Sequence, residues 1–173
     1  MPLRETQNFL ARLYTENTFR QNFLSEPEKI GQENNLDKAE IAEILSIFPE
    51  ELNSFAESLF YKRLREVEKF LPLTKNVLGG NFEKHFRIFA DSFQPSTIKK
   101  HLEDAVIFCS YLQKDKNTSG NEKNTAKFEQ AKLEFYRFEK RLVVKILDYD
   151  INTKQKRRHL AVWLRIGRRN IIF

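Results

Sequence analysis

Large apolar residues recur at intervals of three and four along most of this sequence, and that spacing limits what the chain can fold into. Between Leu52 and Leu71, for example, Leu, Phe, Ala and Val repeatedly return to one side of a helical projection. The chain has sixteen phenylalanines but only five glycines and five prolines, which permits long helices and disfavours a turn-rich all-β fold. With 40% hydrophobic residues it is also too apolar to be disordered. We therefore predict a mainly α-helical folded protein.

Helix-breaking and capping residues divide the apolar pattern into separate helices. Pro72 ends the longest stripe, because proline lacks an N–H donor and clashes with the preceding turn. Gly79 and Gly80 favour another helix end, since glycine readily adopts the left-handed closing conformation. The residues predicted as N-caps are Ser25, Asp37, Thr74 and Ser96. The predicted helical ranges are 4–24 (as one or two helices), 25–33, 37–47, 49–71, 74–79, 81–93, 96–113 and 125–140, with a polar loop at 115–124.

The pattern changes after Arg141, where short β-branched segments replace the helical stripe. Three strands are predicted, at residues 142–147, 160–167 and 171–173, and in sequence they favour a small antiparallel meander. The predicted fold class is therefore mainly α, a helical bundle with a small C-terminal antiparallel β element (α+β). The predicted organisation is an N-terminal helical module at 1–48, a helical domain at 49–140 and a basic β-rich element at 141–173.

Positive charge is concentrated at the C-terminal end of the chain. Residues 151–173 contain seven Lys and Arg and no Asp or Glu, so that segment carries +7, and subtraction from the whole-chain +6 leaves −1 for residues 1–150. A basic segment beside a nearly neutral body attracts anionic partners, such as nucleic acid, an acidic peptide or an acidic protein surface.

Several classes of site and location are disfavoured by what the sequence contains. The single Cys109 precludes an intrachain disulfide, and its place on the apolar side of a predicted helix indicates a buried, unreactive thiol. The three histidines lack the spacing of a metal motif, and Gly79-Gly80 lacks the lysine of a phosphate loop. The N-terminus is charged and no apolar run is long enough to span a bilayer. We expect a cytoplasmic protein that is not an enzyme and has no catalytic residue, metal or cofactor.

Two groups of residues are candidates for binding a partner. The first lies in the basic C-terminal segment, where cations alternate with one aromatic ring: Arg157, Arg158, Trp163, Arg165, Arg168 and Arg169. This arrangement suits phosphates with stacked bases, or an acidic peptide laid along a sheet edge. Equally, Trp163 could be a core residue and the arginines could only protect an exposed edge strand. The second group is a helix face with Tyr61, Lys62 and Arg63, which is also compatible with an ordinary solvated surface.

The stretch from Leu52 to Phe135 resembles a known family in the order of its spaced residues. The matching positions are Tyr61, Leu64, Val67, Phe70-Leu-Pro72, Leu78-Gly79, Phe82, Phe86, Phe89-Ala90, Phe93-Gln-Pro-Ser96, Asp104-Ala105, Phe108, Tyr111-Leu112 and Phe128-Glu-Gln-Ala131. They resemble the helical domain of bacterial proteins that carry a DNA-binding label and are commonly encoded beside multinuclear non-haem iron oxidative enzymes. Lys62-Arg-Leu-Arg-Glu-Val67 is also similar to a K-R-x-x-E-V segment in a related bacterial group.

The resemblance implies a helper protein in the modification of ribosomally made peptides. Members of the family bind the iron enzyme, and their smaller C-terminal domain is thought to capture the precursor peptide. The expected partners are therefore an iron-dependent modifying enzyme and an acidic or extended precursor peptide, with no membrane. Two alternatives stay open: a nucleic-acid-binding or regulatory protein that uses the basic segment, and an oligomeric structural protein that pairs through its β segment.

Overall fold

The computed structural model describes residues 3–47, 49–137, 140–149, 155–166 and 169–172 of the chain. In these ranges the protein is mainly α-helical and ends in a small antiparallel sheet, as the sequence predicts. The helices are α1 (Leu3–Thr15), α2 (Asn17–Ser25), α3 (Pro27–Glu33), α4 (Lys38–Leu45), α5 (Pro49–Phe70), α6 (Pro72–Leu78), α7 (Asn81–Ser92), α8 (Lys100–Lys114) and α9 (Gly120–Arg137). The strands are β1 (Leu142–Tyr149), β2 (Lys156–Ile166) and β3 (Arg169–Ile172).

The chain divides into two compact units, and the division does not follow simple sequence order. Unit 1 comprises Met1–Leu64 together with Ala90–Gln94. Unit 2 comprises Arg65–Phe89 and Pro95–Phe173, and therefore contains the sheet. The predicted boundaries at 48 and 140 stay predictions. None of the described helices is long and apolar enough to cross a membrane.

Unit 1 has its own small core, built from the apolar stripes of its first helices. The buried members of this core are Phe9, Leu13, Phe23, Leu36, Ile41 and Ile44. The predicted cap at Asp37 is confirmed: its side chain accepts from the Glu40 N–H at 2.9 Å, and the Glu40 carboxylate accepts from the Asp37 N–H, which forms a capping box. Arg20 is buried and donates to Leu13 O, Asn17 Oδ1 and Asn53 Oδ1, so its charge is well solvated by polar atoms.

Unit 2 is built around clustered phenylalanine rings on α7 and α8. Phe108 lies at the centre and contacts Phe82, Phe86 and Phe89, with ring centroids 5.2 to 5.3 Å apart. All four rings are buried. Aromatic pairs at such distances add to the burial of apolar area, which explains how a chain with sixteen phenylalanines folds without exposing most of them.

Three of the predicted N-caps are wrong, because α3, α6 and α8 begin at other residues. Ser25 is the last residue of α2, and its hydroxyl donates to Asn22 O. Thr74 lies inside α6, which begins at Pro72. Ser96 precedes α8, and the backbone N–H groups of Ser96 and Thr97 donate to the Glu103 carboxylate at 3.1 and 2.9 Å. The local sequence therefore predicts the positions of the helices more accurately than it predicts their N-cap residues.

The N-terminus of α6 is capped from a distance by Glu129 of α9. The Glu129 carboxylate accepts hydrogen bonds from the N–H groups of Leu73 and Thr74, at 2.9 and 2.7 Å. The side chain is buried, and desolvation raises its pKa above the ordinary glutamate value despite these hydrogen bonds, which act in the opposite direction. A carboxylate at a helix N-terminus also interacts favourably with the helix dipole.

Helix α9 begins earlier than predicted and shortens the expected loop at 115–124. Ser119 and Glu122 stabilise its start: the Glu122 carboxylate accepts from the Ser119 N–H at 2.6 Å, and the Ser119 hydroxyl accepts from the Glu122 N–H at 3.4 Å. Gly120 is the first helical residue, and a Cβ there would lie 2.8 Å from the Tyr149 ring. The absence of a side chain at position 120 lets β1 approach the start of α9.

The three strands form an antiparallel sheet in the order β1-β2-β3, and one face of the sheet packs on α9. The shared core contains Ala131 and Phe135 from the helix and Val143, Leu147, Ala161 and Trp163 from the sheet, with Phe128 packed against it. Asn124 fixes the end of β1, because its side chain donates to Tyr149 O and accepts from the Asp148 N–H, both at 2.8 Å. The sheet is therefore joined to α9 by apolar packing and by specific polar contacts.

Candidate partner-binding site on the C-terminal sheet

The exposed start of β2 is the main candidate site on the sheet. The strand begins at Lys156, four residues before the predicted start at 160, so the basic residues lie within the sheet rather than ahead of it. Lys156, Arg157 and Arg158 are all exposed. In the register, β1 pairs along β2 as far back as Lys156, whereas β3 pairs only with Trp163–Ile166. Among the described residues, no strand pairs with the β3 side of β2 at positions 156–160.

The charge at this edge is only weakly compensated. Arg158 Nε lies 3.7 Å from Asp148 Oδ1, and the two side chains are 76% and 60% exposed. An ion pair so open to water contributes little and is easily exchanged for a ligand carboxylate. Arg157 is exposed, and its carbonyl lies 3.0 Å from His159 Nδ1. An unpaired strand edge flanked by guanidinium groups can add an extended acidic segment by main-chain hydrogen bonds.

Trp163 does not belong to this site. It is 1% exposed and its ring lies 5.4 Å from the Phe128 ring, in the core between the sheet and α9. Of the two roles that the sequence left open, the structure supports the core role and contradicts partner binding. Trp163 falls on the buried face because it alternates with the outward-facing Val162 and Leu164. The nucleic-acid hypothesis used Trp163 as the ring on which a base stacks, and the buried Trp163 cannot serve in that way.

Arg165 also has a structural role. Its Nη2 donates to Phe135 O at 3.1 Å, its Nε donates to Asn170 Oδ1 at 3.3 Å, and its guanidinium lies 5.0 Å from the centre of the Phe135 ring. These contacts tie β2 to the end of α9 and to β3, so Arg165 is not free to bind a partner. Arg169 pairs with Ile166 in the sheet, although its side chain lies outside the described atoms, and Arg168 lies outside the described residues.

The helix face with Tyr61, Lys62 and Arg63 is divided between solvent and structural contacts. Tyr61 is 37% exposed and Lys62 is exposed. Arg63 donates from Nη2 to Phe93 O at 2.7 Å and from Nη1 to Gln94 Oε1 at 3.3 Å. These bonds satisfy carbonyl groups beyond the end of α7, so Arg63 stabilises unit 1. Tyr61 and Lys62 remain candidates for contact with a protein partner.

Reactive groups elsewhere in the described residues show no assembled catalytic arrangement. Burial raises the pKa of the Cys109 thiol well above its ordinary value, with a smaller contribution from the Glu129 charge, so the thiolate is disfavoured. His85 Nδ1 lies 3.0 Å from Asp115 Oδ2, and the other carboxylate oxygen of Asp115 accepts a hydrogen bond from the Asn117 N–H at 3.0 Å. Across the described ranges, no group of three or more His, Cys, Asp or Glu residues could hold a metal ion.

The outer face of the sheet is a feature that the sequence reasoning missed. This face is opposite the one that α9 covers. Its aliphatic side chains are Leu142, Val144 and Ile146 on β1, Leu160, Val162, Leu164 and Ile166 on β2, and Ile171 on β3. Five of them are between 44% and 58% exposed: Leu142, Val144, Ile146, Leu160 and Ile166. Both faces of the sheet are therefore apolar, but α9 covers only one of them.

No protein-family model, curated protein or solved structure matches this chain. The class of protein therefore rests on the chain's own surfaces. The described residues present a basic strand edge and an apolar sheet face.

Proposed function

We propose that this chain is a non-catalytic accessory protein that binds a multinuclear iron-dependent peptide-modifying enzyme together with its precursor peptide. The observation that carries the proposal is the edge of β2 at residues 156–160, with which no described strand pairs on the β3 side, and which carries the exposed Arg157 and Arg158. An extended peptide can complete this edge as an added strand, and its acidic residues can pair with the arginines. The order of apolar, proline and glycine positions from Leu52 to Phe135 supports the same class of protein.

In this proposal the two ends of the chain have separate tasks. The helices contact the enzyme, and Tyr61 and Lys62 are the surface residues assigned to that contact, because Arg63 is engaged with Phe93 O. The sheet holds an acidic or extended part of the precursor. The iron ions belong to the enzyme, so this chain would contribute position and selectivity rather than chemistry.

The first experiment measures peptide capture. A fluorescently labelled precursor peptide, encoded beside the chain and an iron oxidase, is titrated with the wild-type protein and with the Arg157→Ala/Arg158→Ala variant. Loss of two charge-assisted contacts at exposed positions should weaken binding about ten-fold. The matched control is Lys38→Ala/Lys116→Ala, which removes the same charge from two exposed positions that are not part of the strands and should leave affinity unchanged. Equal weakening in both variants would indicate a general charge effect and contradict a site at β2.

The second experiment tests the enzyme partner directly. The chain and the neighbouring oxidase are co-expressed and separated by size, and we expect a stable complex that is weakened by Tyr61→Ala/Lys62→Ala. Absence of a complex at micromolar concentrations of both proteins would contradict the proposal. The nucleic-acid alternative is tested by gel shift over a salt series, because phosphate contacts weaken steeply as salt rises. Tight, salt-sensitive binding of nucleic acid without peptide binding would favour that alternative.

A further inference from the structure

The outer sheet face requires an explanation beyond the edge of β2. Exposed apolar patches larger than a few hundred Å² are uncommon on monomeric proteins and mark places where another surface docks. Here the aliphatic residues are contiguous, because they face one another across the strands: Val144 pairs with Val162, Ile146 with Leu160, and Leu164 with Ile171. A strand that only needed β propensity could carry threonine at these positions. The face is therefore suited to being covered.

The outer face is about as wide as a single α-helix. The opposite face of the same three strands is covered by α9 alone, mainly through Phe128, Ala131 and Phe135, which are spaced by three and four residues along that helix. Three strands span about 10 Å across, and an α-helix with its side chains is about 10 Å wide. A second helix with the same apolar spacing would cover the outer face as α9 covers the inner one.

The charge at one end of the face selects among helices. Arg158 lies on the outer side, beyond Leu160, where it is 76% exposed and 3.7 Å from Asp148, and Arg157 is exposed beside it. Asp148, 60% exposed, is the acidic residue among the described positions of this face. A partner whose apolar stripe is flanked by Glu or Asp would thus meet complementary charge.

Two other occupants fit the charge and composition less well. A second copy of this chain would bring one +7 segment against another, which costs energy through like-charge repulsion. A membrane interface is typically contacted by Trp and Tyr anchors, whereas the described outer-face positions carry no aromatic residue, and Trp163 lies on the opposite side.

We infer that the outer face of the β1-β2-β3 sheet is a docking site for an amphipathic, acidic-flanked helix of a partner protein. This site uses aliphatic side chains that point away from the sheet, whereas the strand edge assigned to the precursor peptide uses backbone groups at the rim. Arg158 borders both, so a change of the aliphatic pair Ile146 and Leu160 is what tells the two sites apart. The outer-face site does not rest on the proposed function. Its failure would leave peptide capture at the edge intact, and the reverse also holds.

The test uses a synthetic helical probe of about 18 residues. The probe carries Leu at the spacing of the α9 contacts and Glu on both flanks, and a second probe has Lys in place of Glu. Binding is measured by fluorescence anisotropy with the full chain. We expect the acidic probe to bind the wild type at micromolar concentration and the Lys probe to bind at least about ten-fold more weakly.

The decisive variant is Ile146→Thr/Leu160→Thr, which makes one cross-strand pair of the face polar and places threonine, a residue of high β propensity, at both positions. This variant should bind the acidic probe about ten-fold more weakly than the wild type does. Ile88→Thr/Ile98→Thr removes two other exposed aliphatic side chains and should not change binding. Arg158→Glu, at an exposed position that does not endanger folding, should reverse the preference between the two probes. Trp163 fluorescence verifies that each variant retains the packed sheet.

Three results would overturn the inference. One is that the acidic probe fails to bind, or binds all variants equally. Another is that the wild type sediments as a dimer that Ile146→Thr/Leu160→Thr converts to a monomer, since a second copy would then cover the face. The last is that the chain co-sediments with anionic phospholipid vesicles in a manner abolished by the same double variant.

Discussion

Substitution of Glu129 gives the sharpest test of how unit 2 is held together. Glu129→Ala removes the acceptor for the Leu73 and Thr74 N–H groups, at 2.9 and 2.7 Å, and places no other acceptor in the same position. A buried donor left without a partner costs about 1–3 kcal/mol. The carboxylate is desolvated in the folded protein, as its raised pKa indicates. Removal of the carboxylate removes this desolvation penalty and offsets part of the cost. We expect a net loss of about 3 kcal/mol in the free energy of unfolding.

Glu129→Gln separates hydrogen bonding from charge. The single amide oxygen can replace only one of the two carboxylate oxygens, so one of the two N–H groups loses its acceptor, and we expect a cost of about 1 kcal/mol. The free energy of unfolding is measured by urea titration followed through Trp163, the single tryptophan, which is buried in unit 2. Glu26→Gln is the control, since its pair with Lys29 is open to water and should have little effect on stability. A Glu129→Ala loss no larger than that of the control would refute the capping role.

The raised pKa of Glu129 fixes the sign of a pH effect. Because burial places the folded-state pKa above the ordinary glutamate value, the folded protein takes up a proton more readily than the unfolded chain. The stability that this uptake adds is full below pH 4.5 and is lost as pH rises through the folded-state pKa. The stability difference between wild type and Glu129→Gln should therefore grow as the solution is acidified from neutral pH. A difference that shrinks on acidification would contradict the assignment.

Three further substitutions should have measurable effects. Asp37→Ala breaks the capping box of α4 and should lower the stability of unit 1 by about 1 kcal/mol in a circular-dichroism melt, whereas Asp37→Asn should cost less. Gly79→Ala places a Cβ at a φ of +54° and should cost about 1 kcal/mol, whereas Gly80→Ala, with open space and no positive φ, should be nearly neutral. Arg165→Lys loses the guanidinium fork that joins Phe135 O to Asn170, and should destabilise unit 2 by about 1–2 kcal/mol, detected by Trp163 fluorescence.

Much of the helical part of the fold could be predicted from sequence because its signals are local. Pro72, the Gly79-Gly80 pair and the apolar spacing each act within a turn or two of chain, and α5, α6 and α7 end and begin close to the predicted places. The caps of α6 and α8 could not be predicted in the same way. The group that caps α6 is Glu129, 55 residues along the chain from Thr74, and no local rule relates the two positions.

The binding residues were harder to predict than the fold, and the sheet shows why. In β2, apolar residues occupy consecutive positions from Leu160 to Leu164, so alternation cannot tell which face is buried. Only the packing of α9 decides that Ala161 and Trp163 face inward and that Leu160 faces outward. The same uncertainty led the sequence reasoning to consider Trp163 for binding and to overlook the exposed aliphatic face. The exposed arginines at the start of β2 were identified correctly as exposed cations by charge alone.

The packing of the sheet on α9 has a practical consequence for studies of the C-terminal segment. Ala131 and Phe135 are fully buried in the core that they share with Val143 and Leu147, so deletion of the strands would expose an apolar stripe on α9 to water. A truncated chain would consequently aggregate or unfold before it could report on any interaction. Single substitutions of surface residues in the full chain are therefore the appropriate way to study this segment. The C-terminal strands form part of the core of unit 2 and cannot be removed without disturbing it.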